Sequence, residues 1–280
     1  MSLFTPELKE RIFFYGDKYA QYYDIVEEFT QPHIDFIHDV EIDLLAMSLG
    51  SSTSSKAGAN ILVVGSGTGA EVLRIFRKRS EALVVTVDFS AEMNNLCRRK
   101  MIRALGKRKF ETQIRMIEED FFAPHLHEKL AKTTSSTSPQ FDAIVAGFLL
   151  HHYTLDMKRE FYSRIYHLLK PGGVVVHADL FNYESEPLSF FSHHFVEDWM
   201  KKQFTSPDRE LRQRYGKIKP VARDLLKEWL NHWNSFHIYH PLSSRQRHEG
   251  TIFGILGSTG FRKFECPFRY YEVGIIWGQR

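Results

Sequence analysis

Histidine and acidic side chains follow two apolar segments of this 280-residue chain. His151 and His152 come after the apolar segment that begins at Ala143, and His177 and Asp179 end the next one. A neutral histidine is the natural proton acceptor near pH 7. We therefore take His151, His152 and Asp179 as candidate catalytic residues, and expect one of the two strand side chains to enter the helix layer and Asp179 to face the cleft. The alternative role for the two histidines is a structural hydrogen bond in a loop.

A glycine-rich segment is the sharpest feature of the sequence. Gly65, Gly67 and Gly69 lie between the apolar run that starts at Ile61 and a helical pattern that starts at Ala70. Glycine lets the backbone turn tightly and approach a ligand, and a helix N-terminus offers free N–H groups to an anion or a carboxylate. The alternative is a tight turn that binds nothing.

An acidic residue, Asp88, ends the next apolar run. A carboxylate at that place accepts hydrogen bonds from both ribose hydroxyls of a nucleoside. Its alternative role is the N-cap of the following helix, a role that Ser90 can share. Strand, glycine loop, helix, strand and acid in this order predict a nucleoside-binding site.

The glycine loop also satisfies the dinucleotide-binding pattern G-x-G-x-x-A. Three other features argue against a dinucleotide as the ligand. Glu118 to Phe122 places acids beside aromatics, where an adenine amino group and ring would be met. Gly69 crowds the helix start, which suits a small amino-acid moiety more than a pyrophosphate. The chain ends in a strand pair rather than in a second mononucleotide-binding half.

Alternating apolar patterns define the elements that position these residues. Strand-like runs interleaved with helical patterns predict a parallel sheet covered on both faces. Two final runs lie too close together for a crossover helix, so they form an antiparallel pair. The predicted strands are 61–64, 83–87, 114–117, 141–146, 174–176, 262–268 and 271–277. The predicted units are an N-terminal helical segment or lid (1–59), an α/β core (60–182), a helical insertion that caps the substrate (183–259) and a closing hairpin (260–280).

Composition excludes several classes of protein. Hydrophobic residues make up 43% of the chain and include 23 Phe, which excludes a wholly disordered chain, and two cysteines exclude a disulfide scaffold. No apolar run approaches the roughly 20 residues that span a bilayer, and no secretory signal is visible, so we expect a cytoplasmic protein without a membrane partner. The histidines of the insertion match no tetrahedral spacing, and we expect no metal site.

The basic cluster between Arg98 and Lys109 has two interpretations. A solvated helix face is favoured over an RNA surface, because Phe110 is the sole aromatic residue among these basic side chains. The net charge of +3 permits nucleic acid as a partner without requiring it.

Several motifs together resemble the class I S-adenosylmethionine-dependent methyltransferases. A weaker likeness, through Tyr22-Tyr23-Asp24 and the insertion, is to the branch that includes carboxy-S-adenosylmethionine synthase. The stretches that carry the main resemblance are VVGSGTGAE (63–71), VDFSAEM (87–93), EEDFF (118–122), FDAIVAGFLLHHY (141–153), LLKPGGVVVHADL (168–180) and the closing GFRKFECPF (260–268).

The resemblance implies an α/β, Rossmann-like fold with a seven-stranded, mostly parallel sheet, a C-terminal antiparallel hairpin, N-terminal helices and a helical insertion. It also implies S-adenosylmethionine as cofactor and S-adenosylhomocysteine as product. Tyr22, Tyr23 and Tyr153 are the candidate substrate-binding residues. The three glycines of the loop would face the methionine portion of the cofactor, and Asp88 would face its ribose. Phe89 or Met93 would flank the adenine, which Asp120 and Phe121 would also contact. Ala146 and Gly147 would lie near the sulfonium.

The function that follows is methyl transfer to a small-molecule acceptor. Three alternatives stay open: a tRNA-related or carboxy-S-adenosylmethionine-type enzyme, an NAD(P)-dependent oxidoreductase, and a catalytically silent protein that binds S-adenosylmethionine. The sequence does not predict the oligomeric state.

Overall fold

A single sheet with helices on both faces organises the chain. The computed structural model describes residues 20–50, 58–205 and 249–280. Along the chain the elements are α1 (Tyr23–Thr30), α2 (Ile34–Ser48), β1 (Asn60–Val64), α3 (Ala70–Lys78), β2 (Leu83–Asp88), α4 (Ala91–Leu105), α5 (Lys107–Gln113), β3 (Ile114–Glu118), α6 (Leu126–Thr134), β4 (Phe141–Val145), a 3₁₀ turn (Leu150–His152), α7 (Leu155–Leu168), β5 (Leu169–Leu180), α8 (Glu186–Thr205), α9 (Glu249–Thr259), β6 (Lys263–Tyr270) and β7 (Val273–Gln279).

The seven strands lie in the order β3-β2-β1-β4-β5-β7-β6. β1 to β5 pair parallel with one another, and β7 pairs antiparallel with both β5 and β6. The predicted seven-stranded, mostly parallel sheet with a closing hairpin is confirmed. Strand order reverses beside β1, and ligands of open α/β sheets bind at such a point, outside the carboxyl ends of the strands.

Two apolar cores sandwich the sheet, because successive side chains of a strand point to opposite faces. Ile61 and Val63 of β1 pack into the core formed with α2, α3 and α4, whereas Leu62 and Val64 pack into the core formed with α6, α7 and α9. This explains why β1 reads as a continuous apolar run instead of an alternating one.

Strand β5 differs most from its prediction. The sequence predicts a strand over 174–176 after a helix that stops at Pro171, but α7 ends at Leu168 and β5 runs from Leu169 to Leu180. β5 pairs with β7 from Val174 to Leu180, so the antiparallel partner extends the strand beyond the β-branched residues.

The expected opposite orientation of His177 and Asp179 is wrong. Residues two apart on a strand share a face, and His177 Nε2 lies 3.3 Å from Asp179 Oδ2 with both side chains buried.

The helical insertion is described at its two ends, α8 and α9. Helix α8 packs on the start of α2 and on the β6–β7 turn, where the Phe195 and Tyr271 rings stack at 3.6 Å and Trp199 lies 5.3 Å from His33. The central part of the predicted insertion lies outside the described residues, and so do its histidines and aromatic residues between 206 and 248. Within the described ranges, no helix has both the length and the apolar character of a membrane span.

Candidate active site

A cleft opens at the carboxyl ends of β1, β2, β3 and β4. It holds about 850 Å³ of free space, part of it open to solvent. The residues that line it are Tyr23, Val64, Gly65, Gly67, Val87, Asp88, Phe89, Met93, Glu119, Asp120, Phe121, Gly147, Phe148, Leu149, His152 and Tyr153.

The glycine loop forms the floor of the cleft. Gly67 has φ +49°, a value that L side chains rarely adopt, and nothing lies within 4 Å of where its Cβ would be. Gly69 has φ +87°, but there a Cβ would lie 2.6 Å from Cys97 Sγ on α4. Gly67 therefore keeps backbone accessible to a ligand, whereas Gly69 allows α3 and α4 to pack closely and does not line the cleft.

Asp88 joins the glycine loop to the end of β2. Its Oδ2 accepts a hydrogen bond of 2.8 Å from the Gly67 N–H, and its Oδ1 accepts one of 2.9 Å from the Ser90 N–H. Ser90 Oγ caps α4 by accepting from the Met93 N–H. Burial raises the pKa of Asp88, and the two backbone N–H bonds oppose this rise. Ser90 thus fills the N-cap role of α4, and Asp88 is among the residues that line the cleft.

The wall after β3 combines acids with aromatic rings. Asp120 Oδ1 accepts from the Phe122 N–H at 2.9 Å, and burial raises the pKa of Asp120. Glu119 is bonded by Lys129 and by His125, and these contacts lower its pKa to about 2. The Phe122 ring lies 5.1 Å from that of Tyr153, so Tyr153 closes the cleft on this side.

Helix α1 covers the opening near the glycine loop. Asp24 Oδ1 accepts from Thr68 Oγ1 of the loop, and Lys100 Nζ of α4 donates to Asp24 Oδ2 at 2.7 Å and to Thr68 Oγ1 at 2.9 Å. These contacts hold Tyr23 at the cleft wall.

A polar chain lies behind the cleft at the end of β5. Asp179 Oδ1 lies 2.6 Å from His151 Nδ1, and its Oδ2 accepts the His151 backbone N–H at 2.9 Å. His177 Nδ1 lies 2.7 Å from the hydroxyl of Tyr162. Burial alone would raise the pKa of Asp179, but His151 and His177 lower it well below its usual range. Asp179 is therefore an ionised acceptor that fixes His151, and the His152 ring, 3.9 Å from that of His151, lines the cleft.

Residues 62–175 match a family model described as a methyltransferase domain. These residues span β1 to β5, the elements whose ends form the cleft. Residues 62–175 therefore form a methyltransferase domain. No curated protein matches the chain in sequence.

Solved structures share the fold of this methyltransferase at low sequence identity. Magnesium protoporphyrin IX methyltransferase from Synechocystis PCC 6803, solved with bound SAM, is 14% identical, with 100% of both chains covered and a TM-score of 0.58. A putative O-methyltransferase from Nostoc punctiforme PCC 73102 is 10% identical over 93% of this chain and 59% of that chain, with a TM-score of 0.56. An O-methyltransferase family protein from Burkholderia thailandensis is 13% identical over 98% and 70%, with a TM-score of 0.50.

The structure of the methyltransferase gathers most of the residues singled out from its sequence. Gly69, Ala146, Tyr22, His151 and Asp179 do not line the cleft. Those that line it are Tyr23, Gly65, Gly67, Asp88, Phe89, Met93, Asp120, Phe121, Gly147, His152 and Tyr153.

Sequence reasoning missed part of the cleft wall. Phe148 and Leu149 line it because the chain turns sharply after β4, where Phe148 has φ +49°. Val64 and Val87 contribute because they end β1 and β2. The positions of Val64 and Val87 at the carboxyl ends of parallel strands were a signal that could have predicted them as lining residues. No sequence signal predicts the positive φ of Phe148.

Proposed function

We propose that this methyltransferase transfers a methyl group from S-adenosylmethionine to a small-molecule acceptor. The observation that carries the proposal is the cleft itself. It brings the glycine loop, Asp88 and Asp120 together at the carboxyl ends of the strands, where open α/β sheets bind ligands. Tyr23 of α1 and Tyr153 border it, so the acceptor meets a walled cleft rather than an open groove.

The residues of the cleft fit the cofactor. Asp88 offers two carboxylate oxygens to the ribose hydroxyls, and Gly67 has no Cβ to obstruct the approach of a ligand to the loop. We assign Asp120 to the adenine amino group, with Phe121 beside the ring. Gly147, at the end of β4, lies where the reacting end of the cofactor would be.

Methyl transfer here depends on orientation and on the exclusion of water. The cofactor supplies an electrophilic methyl group on a positively charged sulfur. The chain's contribution is to hold the acceptor in line with that group and to keep water out, which lowers the barrier without a strong base. Phe148, Leu149 and Tyr153 give the cleft an apolar lining suited to this task.

An acceptor that loses a proton during transfer needs a group to receive it. His152 lines the cleft and lies against His151, which Asp179 fixes through Nδ1 and through the backbone N–H. We assign proton acceptance to His152, and positioning of that histidine to His151 and Asp179. An acceptor hydroxyl or amine would then pass its proton to His152 and onward to solvent.

The basic cluster of α4 and α5 gives less support to an RNA acceptor. Lys100 is engaged with Asp24, the Arg98 guanidinium lies 5.5 Å from the Phe110 ring, and Lys109 lies 5.4 Å from the Phe76 ring. These contacts give the cluster a role in helix packing. The match to a methyltransferase domain argues against an NAD(P)-dependent oxidoreductase. A catalytically silent protein would keep the same cleft and bind the cofactor without transferring its methyl group.

The acceptor class is tested by transfer of labelled methyl groups. The full chain is incubated with methyl-labelled S-adenosylmethionine and, separately, a low-molecular-weight metabolite fraction, total RNA or total protein. We expect label in the metabolite fraction, and expect it to disappear with Asp88→Asn. Label in RNA alone, with binding that weakens steeply as salt increases, would overturn the small-molecule assignment.

A further inference from the structure

A second polar cluster lies behind the cleft wall, between α2, α3 and β5. It consists of His38 and Glu41, one turn apart on α2, and Glu71 in the first turn of α3. His38 is 2% exposed, Glu41 is fully buried and Glu71 is 6% exposed. None of the three lines the cleft, and methyl transfer as described above does not use them.

The hydrogen bonds of this cluster are incomplete. Neither ring nitrogen of His38 makes a hydrogen bond, and Glu41 Oε2 makes none either. The other oxygen of Glu41, Oε1, accepts the backbone N–H of Ala178 at 3.0 Å. His38 meets its carboxylate neighbours only at 3.4–3.7 Å, and buried polar atoms that make no hydrogen bond are candidate ligands for a bound ion.

Charge gives a second argument. Glu41, Glu71 and the neighbouring Glu27 bring three carboxylates to one histidine, and a protonated His38 balances one of them. The N-terminus of α3 favours Glu71, but that partial charge is smaller than one unit. A divalent cation bound by a neutral His38, Glu41 and Glu71 balances both coordinating carboxylates, whereas a protonated His38 balances only one.

The distances between donor atoms fit such an ion. His38 Nδ1 lies 3.4 Å from Glu71 Oε1 and 3.7 Å from Glu41 Oε2, and all three ligand atoms lie within 4.8 Å of one another. Ligands at about 2.0–2.2 Å from a tetrahedral zinc ion stand about 3.3–3.6 Å apart. We propose that His38, Glu41 and Glu71 bind a divalent transition-metal ion of the zinc type, which ties α2 to the start of α3.

The surroundings match those of a metal-bound histidine. His38 Nε2, the nitrogen that would not bind the ion, lies 3.7 Å from Glu27 Oε1 of α1. Metal-bound histidines usually direct their second nitrogen to a carboxylate in this way. Gly147 leaves room for the Glu71 carboxylate, since a Cβ there would lie 2.3 Å from Glu71 Oε1. The ligands of the ion thus come from α2 and α3, and α1 supplies the outer carboxylate of Glu27.

Metal content and Co²⁺ spectroscopy test the proposal on the full chain. Purified, metal-stripped protein is titrated with Zn²⁺ in competition with a chromophoric chelator, and with Co²⁺ while visible absorption is recorded. We expect one tight equivalent of Zn²⁺ and the intense visible bands of four-coordinate Co²⁺. His38→Gln should remove both, and Glu27→Gln should weaken zinc binding by about 10–100-fold, the usual effect of losing an outer carboxylate.

A matched control separates this site from surface histidines. His125 pairs with Glu119 at 2.6 Å on the surface, so His125→Gln removes a histidine–carboxylate pair without touching the buried cluster. It should bind Zn²⁺ as the wild type does. Equal zinc retention by the wild type and by folded His38→Gln would overturn the proposal. If His38→Gln does not fold, the wild-type spectrum decides: absence of four-coordinate Co²⁺ bands overturns it as well.

Discussion

At the scale of single residues, Asp88 joins the glycine loop to the end of β2 and lines the cleft. Its two oxygens accept hydrogen bonds from the backbone N–H groups of Gly67 and Ser90. The position of an acid at the end of the second strand predicted this residue from the sequence. No sequence pattern indicated that the same carboxylate would also hold the loop, because that contact depends on the turn at Gly67.

Replacing Asp88 should weaken cofactor binding more than it weakens the fold. Hydrogen bonds to a charged group are worth about 1.5–3 kcal/mol, so Asp88→Asn should weaken S-adenosylhomocysteine binding by about 10–100-fold in a calorimetric titration. Glu118→Gln, one strand over and outside the cleft lining, is the matched control. Equal affinities of the two variants would contradict the role of Asp88.

Asp179 should contribute stability that depends on pH. Its pKa is depressed in the folded state, so its contribution is present above the unfolded value of about 3.9 and is lost as pH falls through the folded value. Breaking a buried charged pair costs about 3–5 kcal/mol. Asp179→Asn should therefore lower the free energy of unfolding by about this amount at pH 7, and by less at pH values below about 4.

Glu119 supplies the control for that measurement. Its pKa is also lowered, to about 2, but its ion pairs lie near the surface, where such pairs are worth about 0–1 kcal/mol. Urea unfolding of Glu119→Gln should therefore stay close to that of the wild type at pH 7. A loss of stability in Asp179→Asn that does not change with pH would contradict the ionised state of Asp179.

His152 should affect the rate rather than cofactor binding. With an acceptor that loses a proton, His152→Gln should lower kcat by about 10²–10⁴-fold and remove the acidic limb of the pH–rate profile, where protonation inactivates a histidine base. His151→Gln, which loses the contact with Asp179, should lower kcat less. Unchanged pH–rate profiles in both variants would show that the reaction needs no histidine base.

At the scale of elements, the third glycine of the loop sets how closely α3 and α4 pack. Gly69→Ala would force its Cβ against Cys97 Sγ, which should destabilise the fold by about 1–3 kcal/mol beyond the backbone strain. Gly172→Ala is the control, since Gly172 has a similar φ of +79° with nothing within 4 Å. Urea unfolding of the two variants measures the difference; equal losses would mean that the Cys97 contact is unimportant.

Helix α1 should respond to the ion pair that ties it to the glycine loop. Lys100→Gln removes its contacts with Asp24 and Thr68, so amide hydrogen exchange over residues 23–30 should become faster, with a loss of about 1 kcal/mol or less. Lys78→Gln, which breaks a similar surface pair with Asp43 of α2, should leave that exchange unchanged. The same slow exchange in both variants would mean that other contacts hold α1.

At the scale of the whole molecule, the order of elements followed from apolar patterns, and the packing between distant elements did not. Continuous β-branched runs predicted β1 and β2, and the short spacing near the C-terminus predicted the β6–β7 pair. The prediction of β5 is too short because its first residue, Leu169, pairs with Phe141 of β4 and its last residues pair with β7. The cluster of His38, Glu41 and Glu71 was missed, although the i, i+3 spacing of the first two was a readable signal, because Glu71 joins them through tertiary packing.

Isothermal titration with S-adenosylhomocysteine, and in parallel with NADH, tests the central claim most directly. A cleft built from the glycine loop, Asp88 and Asp120 should bind S-adenosylhomocysteine with micromolar affinity and NADH not at all. Binding of NADH alone, or of neither ligand, would contradict the assignment of this cleft to the cofactor of a methyltransferase.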